Sequence, residues 1–455
     1  MAELKKKYGL LTAICMVIGI VVGSGVFFKA EAILNYTGGN LKLGILAWVI
    51  GGVVMIIAAY TFSILATKYE RVNGVVDYAE AAVGEKYGYV VGWFLSTIYY
   101  PTLTMALAWL SARYTLVLIY GEEADITGGL CFVLTGFYLI ASFALNTLSP
   151  VVSGKFQVST TFIKLVPLLL MGIVGTIYGL TKGHTIANFT TVVSDIPTSD
   201  AIFKAVCATV FAYEGWIIAT SINAELKDAK KNLPKALVIG SFAIVAIYVF
   251  YYVGLAGAIP NAEMMASGQT GAKNAFGAVF GNVMGTGIFV FVIVSCLGTL
   301  NGLMLGCSRG LYSIANRGRG PAPHIIGNID KNTNMPANSS IVGLLLCGAW
   351  LLFFYCSQMS DFSEKLGMFA FDPTELPIVT IYPFYIPIFV KMMFNKDFSF
   401  VQRFVAPVLA IAGSVFMVIA AVYAHGPKIP GYLILFAVIM IFGLIFINKK
   451  PAKSK

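Results

Sequence analysis

The sequence predicts an all-α integral membrane protein with twelve transmembrane helices, arranged as a 5+5 inverted repeat plus two. Three observations carry this reading. Hydrophobic residues make up 58% of the 455 and charged residues only 11%, with a mean hydropathy of +0.82. The apolar residues fall in runs long enough to cross a bilayer, which takes about 20 residues for roughly 30 Å of hydrocarbon. Two of these runs, the first and the sixth, are interrupted near their middles by glycine and polar residues. A soluble chain this apolar would expose large sticky patches.

In chain order the runs are 10–36, 42–67, 87–120, 129–149, 155–180, 201–224, 236–259, 283–312, 338–356, 366–391, 402–424 and 430–448. None alternates apolar with polar residues, which excludes a membrane β-barrel. The expected organisation is a cytoplasmic N-terminus (1–9), a first repeat of helices 1–5 (10–180), a second of helices 6–10 (201–391), helices 11–12 (402–448) and a cytoplasmic tail (449–455). Lysine and arginine placement sets the orientation. With Lys5–Lys7 inside, 22 of the 31 basic residues lie in the loops and termini of one face, 5 lie on the other, and 4 fall within spans. Both termini are therefore expected in the cytoplasm, with no cleavable leader. The net charge of +10 is spread over short inter-helix segments and does not indicate nucleic acid. The seven cysteines lie almost all in apolar runs without CxxC spacing and read as small core residues.

Span 1 contains Gly23-Ser24-Gly25 within "IVVGSGVFFK", and span 6 contains "FAYEGW", residues 211–216. Glycine costs about 0.8–1 kcal/mol relative to alanine in a helix. Five spans separate the two, so the helices enter from opposite faces, the pattern of an inverted repeat with its binding site between broken helices. At 1.5 Å per residue, Ser24 lies about 21 Å from the start of span 1 and Glu214 about 20 Å from the start of span 6. The breaks are expected to meet near mid-membrane. Freed backbone groups are tolerated there only beside a cavity or inside protein. The half-helix starting at Ser24 offers amides and a positive dipole end to a carboxylate. The half-helices ending near Val21 and Phe211 offer carbonyls to an ammonium. A zwitterion carrying both groups is an α-amino acid. The alternative is that Gly-Ser-Gly serves only close helix packing.

These stretches, together with "AEL" at 224–226, "VSCLGTLNG" and "SRGLYSIANRGRGP" at 294–321, resemble the L-type amino acid transporter family of the amino acid–polyamine–organocation superfamily. The resemblance is closest to bacterial exchangers of small neutral amino acids, of the alanine–serine–cysteine or serine–threonine type. It implies a LeuT-like fold. It also implies a substrate site built from Val21, Gly23, Ser24, Gly25, Phe211, Ala212, Tyr213 and Glu214, with Phe211 as an aromatic lid. Glu214 stands where large-substrate members have glycine, and Leu103 where some have asparagine. Both departures point to a small substrate.

Lys164 lies about 14 Å beyond Lys155 along its helix. A lysine at that depth costs at least about 2.5–3.5 kcal/mol and must face protein or water. The resemblance implies that it fills the volume of a sodium site and bridges helices 1 and 5, with Tyr248 close by. A structural ion pair with Glu214 and a proton-carrying role are the alternatives. Asp372 and Glu375, in the proline-broken "FAFDPTELP", read either as a pH-sensitive outer gate or as a solvated vestibule wall. Lys29, Arg113 and Lys204 are expected to snorkel toward headgroups, and Trp93, Tyr120 and Tyr138 to sit in interfacial belts.

The longest loop, around 313–338, leaves no room for a soluble catalytic domain, and no P-loop, HExxH or metal-binding cluster is present. No cofactor or metal is expected, and the protein is not read as an enzyme. "GEEADITGG" lacks the cysteine with which animal members of the resembled family bond a heavy-chain glycoprotein, so no such partner is expected. The expected setting is a bacterial inner membrane, with the protein in contact with lipid as a monomer or weak oligomer. Three functions are compatible with these features: a sodium-independent exchanger, a proton-coupled symporter, and a channel or non-transporting sensor.

Overall fold

The computed structural model describes residues 9–69, 74–220 and 226–448. The basic clusters at 5–7 and 449–455, Arg71, and Ala224 and Glu225 of the AEL stretch lie outside the described residues. Among the described residues every regular element is a helix.

The chain opens with α1 (Leu10–Val21) and α2 (Gly25–Tyr36), then α3 (Leu41–Lys68), α4 (Val75–Ala82), α5 (Glu85–Phe94) and α6 (Tyr100–Tyr120). Next come α7 (Gly129–Leu148), α8 (Pro150–Leu170), α9 (Thr176–Lys182), α10 (His184–Thr190), α11 (Thr198–Tyr213) and α12 (Trp216–Ala219). The second half holds α13 (Ala229–Ala258), α14 (Asn261–Ala266), α15 (Gly271–Phe280), α16 (Asn282–Ala315), α17 (Pro323–Ile326) and α18 (Ala337–Phe354). It ends with α19 (Ser363–Leu366), α20 (Ile378–Met392), α21 (Ala406–His425) and α22 (Ile429–Leu444). Among the described residues, eight continuous helical stretches are long and apolar enough to cross a membrane, and α1 and α20 are shorter apolar helices.

Among the described residues, four π-turns, at 95–99, 171–175, 355–359 and 401–405, interrupt or flank long helices. Each admits one extra residue and re-aims the helix beyond it. The turn at 171–175 lies just after Pro167, whose ring cannot donate a main-chain hydrogen bond inside α8. Small residues then let this helix approach α13. A Cβ built on Gly254 would lie 2.2 Å from the Met171 carbonyl oxygen, and one on Gly257 2.2 Å from that of Gly175.

Two expectations from the sequence, for Trp93 and Lys29, are corrected. Trp93 is not a belt residue: it is 4% exposed, and its indole donates to the Ile439 carbonyl at 3.0 Å, packing α5 on α22. Tyr138 is half-buried with its hydroxyl 2.9 Å from Thr115 Oγ1. Span 10 is irregular where its prolines imply: Pro373 and Pro377 leave 370–377 without regular helix, and α20 starts at Ile378. Lys29 does not reach for headgroups: its ammonium pairs with the Glu375 carboxylate.

Candidate functional site

The two breaks face one cavity. After α1 ends at Val21, Val22 is extended (φ −67°, ψ 100°) and α2 restarts at Gly25. After α11 ends at Tyr213, Glu214 is extended (φ −68°, ψ 160°) and Gly215 takes φ +102°. That angle lies where a side chain is strained, so glycine is required to turn the chain into α12. The cavity is small, and its empty space of about 350 Å³ includes open solvent at its mouth. The first break lines it with Val21, Gly23, Ser24 and Gly25, the second with Phe211, Glu214 and Gly215. α6 contributes Leu103 and Leu107, and α16 contributes Thr299 and Leu303.

The main chain of the first break is polarised. The amides of Ser24 and Gly25 take no main-chain acceptor among the described residues, and the first closing bond of α2 runs from the Phe27 amide to the Ser24 carbonyl at 2.9 Å. These amides sit at the positive end of α2, where an anion is favoured. Ser24 Oγ is fully buried, with only the Cys296 thiol beside it as a weak partner among the described residues. The carbonyl ends are partly occupied. Tyr248 Oη donates to the Ala212 carbonyl at 2.9 Å and the Val21 carbonyl at 3.3 Å, tying α1 to α11. Thr299 Oγ1 donates to the Val22 carbonyl at 3.3 Å.

Lys164 is fully buried. Its ammonium donates to the Gly19 carbonyl and lies 3.5 Å from Thr299 Oγ1, so it joins α8 to α1 and α16. It makes no ion pair with Glu214 among the described residues, which removes that alternative. Tyr248 spans the half-helices instead of bonding Lys164. Glu214 accepts the phenol hydrogen of Tyr99, the last residue of the π-turn at 95–99.

Six of the eight expected binding residues line the cavity; Ala212 and Tyr213 face elsewhere. Ala212 packs where α2 crosses α11: a Cβ on Gly25 would lie 2.7 Å from Ala212 Cα. Close packing and an open main chain thus coexist at Gly-Ser-Gly. Tyr213 turns its hydroxyl to the Trp48 carbonyl at 2.9 Å. Asp372 accepts the Thr374 amide at 2.7 Å and shapes its own turn. Glu375 stands between Lys29 and His425, the latter at 3.6 Å, and the Lys29 ammonium lies 5.5 Å from the centre of the Phe211 ring.

Several residues escaped sequence reasoning. Leu107 lies one turn beyond Leu103, so helical spacing alone signals it. Tyr99 carries no such signal, because the π-turn sets its direction. A buried network was also missed. Asn146 Nδ2 donates to Asn301 Oδ1 at 2.9 Å, Ser153 Oγ to the same oxygen at 3.0 Å, and Gln157 Nε2 to the Gly19 carbonyl at 3.3 Å. It joins α7, α8, α16 and α1 beside Lys164. Elsewhere, Arg317 pairs with Asp77 and Glu80, joining the end of α16 to α4.

Comparison with known proteins agrees with this architecture. The amino acid permease family profile matches residues 8–447. The serine/threonine exchanger SteT of Bacillus subtilis is 30% identical over 429 residues, covering 91% of this chain and 90% of that protein. The human cystine/glutamate transporter is 28% identical over 339 residues, 74% of this chain and 66% of its own. The mouse large neutral amino acids transporter small subunit 2 is 26% identical over 371 residues, 80% and 67% respectively. Among solved structures, MhsT in complex with L-phenylalanine, a LeuT-like neighbour, superposes with a TM-score of 0.59 at 14% identity, covering 96% of this chain and all of that one, a likeness of fold. The chain is therefore a multi-pass membrane transport protein rather than an enzyme, and belongs to the amino acid permease family.

Proposed function

We propose that this protein exchanges small neutral L-amino acids across the membrane without sodium, by alternating access. Alanine, serine and cysteine are the core substrates, with threonine and glycine at the margin. The observation that carries the reading is the small cavity between two main-chain breaks. The amides of Ser24 and Gly25 take the substrate carboxylate, and the carbonyl ends near Val21 and Phe211 take its ammonium. The Lys164 ammonium bridging α8 and α1 supplies the fixed positive charge that a bound cation would otherwise bring.

The same reading assigns twelve spans in a 5+5+2 order, with repeats at 10–180 and 201–391 and helices 11–12 at 402–448. The α1–α2 and α11–α12 pairs are then equivalent broken helices. Both termini lie in the cytoplasm of a bacterial cell, and no heavy-chain partner is needed. Lys29 and Glu375, with Asp372 holding the turn and His425 alongside, form the outer gate over Phe211. Tyr248 keeps the half-helices in register as it opens.

The test is uptake of labelled alanine into proteoliposomes, preloaded or not with serine, with and without sodium. Preloading should accelerate uptake strongly and sodium should change nothing. Equal uptake into empty vesicles, only with sodium outside, ends the reading and the role given to Lys164. A second reading, proton-coupled symport, is favoured by two titratable groups, Lys164 and Glu214, so close to the cavity. It requires a pH gradient to drive net uptake into empty vesicles.

A further inference from the structure

Glu214 is the one charged side chain among the residues lining the cavity, and exchange of an amino acid does not by itself require it. It is held in place. The Tyr99 phenol donates to its Oε2, and Tyr99 is 1% exposed at the end of the π-turn at 95–99. The Thr97 carbonyl in that turn is taken by the Trp350 indole at 2.8 Å, which keys the turn to α18. π-turns frequently mark functional positions.

A carboxyl group can accept several hydrogen bonds, and the Tyr99 phenol and the Gly215 amide use part of that capacity. The walls at Leu103, Leu107 and Leu303 have no side-chain donor to offer it; of the two lining hydroxyls, that of Thr299 donates to the Val22 carbonyl and that of Ser24 makes no hydrogen bond to Glu214. The α-carboxylate and α-ammonium are common to every amino acid and are served by main chain. What remains for Glu214 is the group that differs between substrates. A cationic side chain is disfavoured because the buried Lys164 ammonium, without a carboxylate partner among the described residues, stands just behind the wall, 3.5 Å from Thr299 Oγ1.

We propose that Glu214, positioned by Tyr99, is a specificity-determining residue that selects amino acids with a side-chain hydroxyl over aliphatic ones of the same size. This rests on the exchange reading above. A buried acceptor that finds no donor is penalised, so a pocket built around one discriminates against the substrate lacking it.

The test uses proteoliposomes preloaded with labelled serine, with efflux driven by external serine, alanine, threonine, valine or 2,3-diaminopropionate. Threonine and valine have nearly the same shape and differ by hydroxyl for methyl. The wild type should favour serine over alanine, and threonine over valine, by about 5- to 10-fold, the low end of the cost of an unpaired acceptor, with alanine still a substrate. Glu214→Ala should collapse both ratios toward one. Glu214→Gln keeps an acceptor oxygen and should retain most of the preference, and Tyr99→Phe should lower it part-way. Where a variant loses exchange altogether, the same ratios are read from thermal stabilisation of the purified protein by each amino acid. Unchanged ratios in Glu214→Ala, equal rates for serine and alanine in the wild type, or 2,3-diaminopropionate as the best substrate each overturn the proposal while leaving exchange intact. Failure of the wild type to exchange any of the five overturns both.

Discussion

The first break, at Val22–Ser24, and the second, at Glu214–Gly215, both interrupt a helix with extended backbone, and they differ in chemistry. The first presents main chain and small side chains: two glycines, Ser24, and amides at the head of α2. Its supports come from elsewhere, from Tyr248, Thr299 and, one turn back at Gly19, Lys164. The second presents a carboxyl group and turns on a glycine at φ +102°. The difference teaches a division of labour. Main chain can address only what all α-amino acids share, whereas a side chain can address what distinguishes them. Damage to the first break should therefore hit every substrate alike, and damage to the second should re-rank them.

The comparison breaks most sharply at Gly25. A methyl group there meets backbone of α11, which cannot swing aside, and overpacking of this kind costs about 1–3 kcal/mol. Gly25→Ala should lower exchange of serine and alanine equally, by roughly 100-fold. Gly136→Ala, where a Cβ meets nothing within 4 Å, is the control. Lys164→Met removes a charged donor from the Gly19 carbonyl. Counterflow should fall about 10- to 100-fold for all substrates, and sodium should not restore it. A selective loss for one amino acid would show that Lys164 senses the side chain and not the first break.

Smaller effects sharpen the boundary between the halves. Tyr248→Phe deletes the hydroxyl shared by the Val21 and Ala212 carbonyls. It should lower exchange about fivefold and reduce thermal stability in detergent, both independently of substrate. Thr299→Val removes one 3.3 Å bond to the Val22 carbonyl. A loss of only about two- to threefold is expected from a hydrogen bond of that length. If Thr299→Val instead exceeds Tyr248→Phe, the first break depends on α16 more than on the tie to α11.

The membrane-helix class, the positions of both breaks and the burial of Lys164 were legible because they rest on one-dimensional properties. Apolar run length is set by bilayer thickness, and glycine or glutamate inside such a run has no local reason to be there. Residue-level contacts were legible only in part. Ser24, Gly25, Phe211 and Glu214 were expected at the cavity and line it, but Ala212 and Tyr213 share their segment and face other helices. A helix sends consecutive side chains about 100° apart, so a motif read as a block overstates what reaches one point.

By itself, then, the sequence determined that this chain is a bundle of apolar helices with two of its long runs interrupted, since solvent and backbone hydrogen bonding dictate both. Only the tertiary structure decided which distant groups meet: Lys29 with Glu375, Tyr99 with Glu214, Lys164 with the Gly19 carbonyl, and Trp93 with α22. These pairs are separated by 115 to 346 residues along the chain. They depend on helix rotation, a π-turn and a proline-broken helix start, none of which shows in the spacing of apolar residues.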